Sequence, residues 1–354
     1  MGMGHAEKML VEHLLPLTNP LGWELEMVFS GRSPESPAAH AKPNGVRSSF
    51  LGFSAARLHN FPLSFARAAT RFGSGVSAPS LYHSLAVSYP VPKCAPAIYT
   101  IHDLPPARFS DEGQLPVWTH RAAQSAEAII TPSAFGKAEV VDILEVAPER
   151  VHVVPNGVEH DLFSTNTPET TQEQLSRYGL SKPFLIYVGG FTQRKNVKSL
   201  LSAWKKLAPK YPSYHLALVG LGPQLEKLRG EGSVPQSVVI GHLGRPQIAA
   251  LMKAAEAVVV PSVYEGFGLP ALEGMALGVP VVAVRSGAIP EVVGDAALLV
   301  GDGSAEKLAE GIEAVIKDQQ LAAILKKSGP TRARQFSWKD QAQAVLEIYK
   351  RVLG

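Results

Sequence analysis

Glu265 and Glu273, with seven residues between them, flank a glycine turn in the stretch AVVVPSVYEGFGLPALEGMALGVPVVAV that runs from 257 to 284. Ala257 to Val260 reads as a buried strand, Gly266 and Gly268 as a loop, and Leu269 to Leu277 as a short helix. Pro270 suits that helix's first turn and Gly278 its stop. Val279 to Val284 then restores β-branched strand character. A strand, glycine turn and helix in this order aim unpaired backbone N–H groups and the positive helix end at one point, which suits an anion. Neither carboxylate can neutralise an anion, so their natural partners are hydroxyls. Amides for phosphate beside acids for hydroxyls suit a nucleotide sugar.

A second constellation follows the apolar run Phe184 to Val188. There Gly189-Gly190-Phe191-Thr192-Gln193-Arg194-Lys195-Asn196 precedes a helix running through Leu207. Arg194 and Lys195 fall where a strand hands over to a helix, so a diphosphate would meet two cations and free amides together. Such pairing stabilises the charge that develops on a leaving diphosphate. A third candidate is His102, delivered with Asp103 by the strand Ala97 to Ile101; open parallel sheets bind ligands beyond the carboxyl ends of their strands. Asp103 either orients the imidazole or closes a turn before Pro105. Each of these residues has an ordinary alternative: Glu265 a solvated loop acid, Glu273 a helix acid favoured by the dipole, Lys195 a surface lysine, His102 a structural histidine.

The string PSVYEGFGLPALEGMALGVPVV resembles the Glu-x7-Glu signature of the retaining glycosyltransferases of family 4, and the resemblance runs from about Gly2 to the C-terminus, strongest from Phe184 to Val300. It implies an α/β chain of the GT-B fold, two Rossmann-like domains whose parallel sheets face an interdomain cleft. It implies a hexose moved from a nucleotide diphosphate sugar, GDP-mannose or a UDP-sugar, to an acceptor hydroxyl, with YVGGFTQRKN slightly closer to mannosyltransferases. By resemblance Glu265 holds hydroxyls of the transferred sugar and Glu273 the ribose. The backbone of Phe267, Gly268 and Leu269 lies near phosphate and sugar, and His102 touches the sugar from the N-terminal domain. Arg194 and Lys195 brace the diphosphate, Leu243 lies near the nucleobase, and Gly2 and Gly4 let backbone amides approach the diphosphate, unless Met1 to His5 is a frayed terminus. Many members carry an arginine at the place of Gly190, and Arg194 is expected to take over its role.

Length 354 suggests about two domains of roughly 150 residues. The expected organisation is an acceptor-side domain over 1–168, a nucleotide-sugar domain over 169–336, and a helix over 337–354 crossing back. Before the helix Ala6 to Leu15 no strand is legible, so the N-terminal sheet is expected to lack its first strand and to leave neighbouring edges unpaired. Further expected elements are a strand Trp23 to Phe29, a loop Gly31 to Asn44, and a basic-flanked helix Leu63 to Phe72 in a phenylalanine-rich region. Helices are also expected over Gln114 to Ser125, Phe135 to Leu144 with Ser133 as N-cap, Gln247 to Ala255, Ala305 to Lys317, Gln319 to Lys327 and Trp338 to Leu353. The polar stretch Glu159 to Thr171 reads as a linker.

Net charge +3, from 34 basic and 31 acidic residues without a long basic block, gives no indication of nucleic acid as a partner. A single cysteine, Cys94, excludes an internal disulfide and fits a reducing compartment. No apolar run approaches the ~18 residues of a spanning helix, and Glu7 and Glu12 interrupt the apolar pattern of the N-terminus, so no signal peptide is read. A cytoplasmic protein is expected, with a pI near 8.8 leaving room for peripheral contact at the inner membrane face. The acceptor is expected to be a carbohydrate or lipid-linked, in the cell-envelope polysaccharide sense; oligomeric state is not legible. No Asp-x-Asp triplet or His/Cys cluster has ligand spacing, so no metal and no cofactor beyond the donor is expected. Rival readings are an NAD-independent nucleotide-sugar epimerase of the same shape and a decayed nucleotide-sugar-binding protein. A dinucleotide oxidoreductase is weaker, since Gly220-Leu221-Gly222 lacks a third glycine and the acidic ribose ligand.

Overall fold

The computed structural model of the chain describes residues 2–29, 46–50, 80–85, 95–159, 173, 175–220, 234–241 and 243–354. The expected loop Gly31 to Asn44, the helix Leu63 to Phe72, the linker beyond Glu159 and the turn at Leu221 and Gly222 lie outside the described residues. Two compact units divide the chain: Met1–Gly157 with Ser337–Gly354, and Val158–Phe336. The first passage therefore comes after Gly157, ahead of the 168 read from the linker composition. A Cβ on Gly157 would stand 2.1 Å from the backbone nitrogen of Trp338, and in the other unit Val158 N–H donates to the Phe336 carbonyl at 3.3 Å. Backbone contact, which composition does not record, fixes the division there.

The first unit opens with α1 (Gly2–Thr18), followed by β1 (Glu26–Phe29), β2 (Arg47–Phe50), β3 (Tyr82–Ser84), β4 (Ala97–Thr100), α2 (Thr119–Gln124), β5 (Ala128–Thr131), α3 (Ala134–Leu144) and β6 (Val151–Val153). β3 to β6 form a parallel four-stranded sheet in chain order, and among the described residues β1 pairs with β2 in a separate sheet. The Ser133 hydroxyl caps α3 by accepting from Gly136 N–H. Gly2 and Gly4 are not in a glycine loop: α1 starts at Gly2 and continues past Leu15 through Pro16 to Thr18. Packing overrides propensity here. His5 lies edge-on to Trp338 with ring centroids 5.8 Å apart, while Ala6, Met9, Leu10 and Leu14 are buried.

In the second unit come β7 (Phe184–Val188), α4 (Val197–Leu207), β8 (His215–Val219), β9 (Ser237–Ile240), α5 (Arg245–Ala254), β10 (Ala257–Val260), α6 (Leu269–Ala276), β11 (Val281–Val284), α7 (Ile289–Val293), β12 (Leu298–Val300), α8 (Ala305–Lys317) and α9 (Gln319–Ala333). All six strands run parallel in the order β12-β11-β10-β7-β8-β9. Phe184, Ile186, Val258 and Val260 pack with α5 and α6 on one face. Leu185, Tyr187, Val259 and Val282 pack with α4 and α8 on the other. Burial on both faces is why these strands read as continuous apolar runs. α9 runs past the Lys327 expected as its end because Gly329 is a point of close approach, where a Cβ would meet the Met275 carbonyl oxygen at 3.0 Å. Last, α10 (Trp338–Leu353) returns to the first unit, where Val345 and Leu346 share a core with Leu10 and Leu14 of α1.

Because Gly157 has no room for a side chain, Gly157→Ala is expected to lose about 1–3 kcal/mol through overpacking. A urea midpoint equal to wild type would contradict that account.

Candidate functional site

Strand order reverses between β7 and β10, since the chain leaves β7 for β8 and β9 on one side and comes back to β10 on the other. Loops at the carboxyl ends of such neighbours make a crevice that binds ligands. The loop after β7 tightens into a 3-10 turn, Gln193–Lys195, ending on Asn196 at φ +52°. Asn196 Nδ2 donates to the carbonyls of Pro261 at 3.0 Å and Gly303 at 2.8 Å. Val263 N–H donates to the Arg194 carbonyl at 2.9 Å. The cationic turn is thus stitched to the loop that follows β10.

On that loop sits Glu265, 6% exposed. Lys195 Nζ donates to its Oε1 at 2.7 Å and Arg194 Nη1 lies 3.5 Å from its Oε2. Burial alone would push this carboxyl up; the Lys195 and Arg194 charges outweigh burial and hold it below the usual carboxylate range. Gly287, at φ +52°, lies against the Glu265 backbone so closely that a Cβ would be 2.5 Å from the carbonyl oxygen, and Ala288 N–H donates to that oxygen at 2.9 Å. The Glu265 backbone is therefore pinned from below and its side chain from the β7 side. Tyr187 in β7 is buried and its hydroxyl donates to the Gly190 carbonyl, which shapes the start of the cationic loop.

Gly268 is the N-cap of α6 at φ +100°, a conformation that favours glycine, and a Cβ there would strike Ile289 at 2.4 Å. Leu269 follows as the first helical residue. Phe267 is buried, its ring edge-on to Phe336 at 5.7 Å. Glu273, one turn into α6, is 5% exposed and does not join the Arg194, Lys195 and Glu265 cluster through any hydrogen bond. It pairs instead with Arg245, whose other amino group reaches Glu159. Leu243 is buried, in the same core cluster as Ile248 of α5. Arg245 and Glu159 were not singled out from sequence; the available signal was a cation in the first turn of a helix, where the dipole disfavours it.

His102 follows β4 in the first unit, with an Nε2 that is buried and makes no hydrogen bond. It lines a small cavity with Glu7, Thr100, Asn156 and Gln341, and the Gln341 Oε1 is also buried without a partner. Burial lowers the His102 pKa to about 4 and raises that of Glu7 to about 7. Glu7 is a member of this site that sequence reading passed over, although an acid inside the apolar stripe of α1 was the clue. Nearby His83 bonds Thr100 Oγ1 at 2.7 Å and Tyr349 Oη at 2.6 Å. Burial first, and then the His102 charge, bring its pKa down to about 3. Among the described residues, no group of three or more His, Cys, Asp or Glu could hold a metal ion, and no helix is long and apolar enough to cross a membrane.

Two α/β units built on parallel sheets, one of them doubly wound with a cationic turn and an acid at its switch point, place the chain among proteins of the GT-B fold. Comparison with known proteins agrees. Residues 170–332 match the family model of glycosyl transferases group 1 and residues 9–162 that of Glycosyltransferase Family 4. The chain is 30% identical over 241 residues to O-antigen chain mannosyltransferase B of Escherichia coli, covering 65% of this chain and 62% of that protein. It is 31% identical over 286 residues to alpha-maltose-1-phosphate synthase of Mycolicibacterium smegmatis, covering 73% of each. Anabaena HepE, solved in complex with UDP and glucose, superposes with a TM-score of 0.72 at 19% identity over 99% of this chain and 96% of its own. The chain belongs to the family 4, group 1 glycosyltransferases.

The buried imidazoles predict an acid-sensitive fold. Folded-state values below the unfolded value of about 6.5 mean that the unfolded chain binds more protons, so their contribution is complete above about pH 6.5 and is lost as pH falls. The window extends down through about 4 for His102 and about 3 for His83. Melting temperature measured from pH 7 to 4.5 is expected to fall less steeply in His102→Gln than in wild type; parallel curves would refute the assignment.

Proposed function

We propose that this chain transfers a hexose, with retention, from a nucleoside diphosphate sugar to an acceptor hydroxyl, and that it needs no metal ion. The observation that carries the reading is the convergence of Arg194, Lys195 and Glu265 at the switch point between β7 and β10. Two cations and an α6 N-terminus supply the charge stabilisation that a departing diphosphate otherwise draws from a metal. The relatives support the donor class: mannose in the name of the Escherichia coli protein, UDP and glucose in the Anabaena crystal. GDP-mannose and a UDP-sugar are both compatible donors. The acceptor we assign is a carbohydrate or lipid-linked hydroxyl.

In the reaction, the bond between the anomeric carbon and the diphosphate oxygen breaks, the acceptor oxygen bonds to the same face of that carbon, and the acceptor proton passes to the leaving phosphate. Lys195 and Arg194 receive the phosphate charge. As they do so, they release the Glu265 oxygens they hold in the free protein, and these accept from sugar hydroxyls. A carboxylate so engaged is a poor candidate for a covalent nucleophile. Glu273 accepts from the ribose.

Thermal-shift screening of nucleotide sugars should identify the donor, because a ligand bound to the folded state raises the melting temperature. With that donor, Lys195→Ala and Glu265→Gln are expected to lower kcat by about 100-fold or more, the product should keep the donor's anomeric configuration by NMR, and EDTA should not reduce the rate. Full turnover in either variant, an inverted product, or a rate lost to chelator and restored by magnesium would each overturn the corresponding element of the mechanism.

A further inference from the structure

Arg245 is the first residue of α5, a position where the positive helix end disfavours a cation. Two carboxylates compensate. Nη1 donates to Glu273 Oε1 at 2.5 Å and Nη2 to Glu159 Oε2 at 2.9 Å, while the buried Nε has no partner. Burial works against the charge on Arg245, and the Glu273 and Glu159 carboxylates more than reverse it, so its pKa is raised.

An arginine that meets a single carboxylate commonly grips it with two parallel N–H bonds, one to each oxygen. Here the two amino groups serve different acids. Glu273 consequently gives Oε1 to Arg245 and keeps Oε2 without a hydrogen bond among the described residues. The distinction matters because the terminal torsion of a glutamate is broad and roughly two-fold, so an unheld carboxylate samples many orientations. A carboxylate held at one oxygen presents the other in a fixed direction. Glu159 has the complementary effect: by occupying Nη2 it keeps Arg245 from closing on both oxygens of Glu273.

We propose that Arg245 is a positioning residue for the nucleotide ribose: it holds Oε1 of Glu273, is itself held by Glu159, and thereby aims Oε2 at the ribose hydroxyls and sets the preference for ribonucleotide over deoxyribonucleotide. This inference rests on the reading of Glu273 as the ribose acceptor. It assigns functions to two residues, Arg245 and Glu159, whose ion pairs hold Glu273 and each other.

The test is a binding comparison on the full chain, by calorimetry, of UDP and GDP against their 2′-deoxy and 3′-deoxy counterparts. Wild type is expected to bind one ribonucleotide about 10-fold or more tighter than at least one of its deoxy forms, as a hydrogen bond to a charged acceptor warrants. That ratio should drop below about 3-fold in Arg245→Ala and in Glu159→Gln, and take an intermediate value in Arg245→Lys, where one point charge replaces the fork. Melting temperature without nucleotide identifies any variant that fails to fold; should Arg245→Ala do so, Arg245→Lys and Glu159→Gln carry the test. Folded Arg245→Lys and Glu159→Gln with the wild-type ratio, beside a Glu273→Gln in which the ratio is lost, would overturn the positioning role and leave the ribose reading standing. A ratio unchanged in Glu273→Gln, or a wild type without any ribose preference, would sink the ribose reading itself.

Discussion

The adjacency of β7 and β10 in the middle of a parallel sheet is the constraint on which the candidate site depends. Ala257 pairs with Leu185 and Val258 with Ile186, although about 70 residues separate the partners along the chain. Their shared register brings the carboxyl ends of both strands to one level. Everything charged at the switch point hangs from those two ends: Arg194 and Lys195 from one, Glu265 from the other. A shift of register between the strands would pull the cations from the acid, and a parallel pair buried on both faces strongly resists such a shift.

The same arrangement explains why buried charge is tolerated there. Glu265 is almost sealed from solvent, and an isolated carboxylate in that place would take up a proton. Two cations, each with a side chain about 15% exposed, keep it ionised. Backbone N–H groups of Val263 and Ala288 and the side-chain amide of Asn196 hold the partners in place. Such a cluster adds little to stability, because desolvation offsets much of the Coulomb gain. Under the proposed function its value lies in being exchangeable, a diphosphate replacing the carboxylate on Lys195 and Arg194 and hydroxyls replacing the cations on Glu265.

Glu273 shows the other way of keeping an acid ready in a buried place. Its hydrogen-bonded ion pair among the described residues is with Arg245, itself shared with Glu159. The two acids of the Glu-x7-Glu spacing therefore belong to different ion-pair groups, one facing the β7 turn and the other facing the start of α5. Seven intervening residues, with a glycine turn among them, are what separate the groups.

The sequence alone located most strands and helices of the second unit, the short β12 excepted, because strands buried on both faces are continuous apolar runs and because Gly268, Pro270 and Gly278 mark one turn and one helix by chemistry that only those residue types supply. It also placed Arg194, Lys195, Glu265 and Glu273 as the residues worth watching. It placed Gly2 and Gly4 in a loop where α1 begins, and it ended α9 at Lys327, short of Gly329, where the Met275 backbone comes close. Arg245 and Glu159 were beyond its reach for the same reason: their meeting with Glu273 spans 86 residues from Glu159 to Arg245 and 28 from Arg245 to Glu273. Local spacing decides which residues can do chemistry. Which of them face each other is decided by the order of strands in a sheet, and that order exists only once the chain has folded.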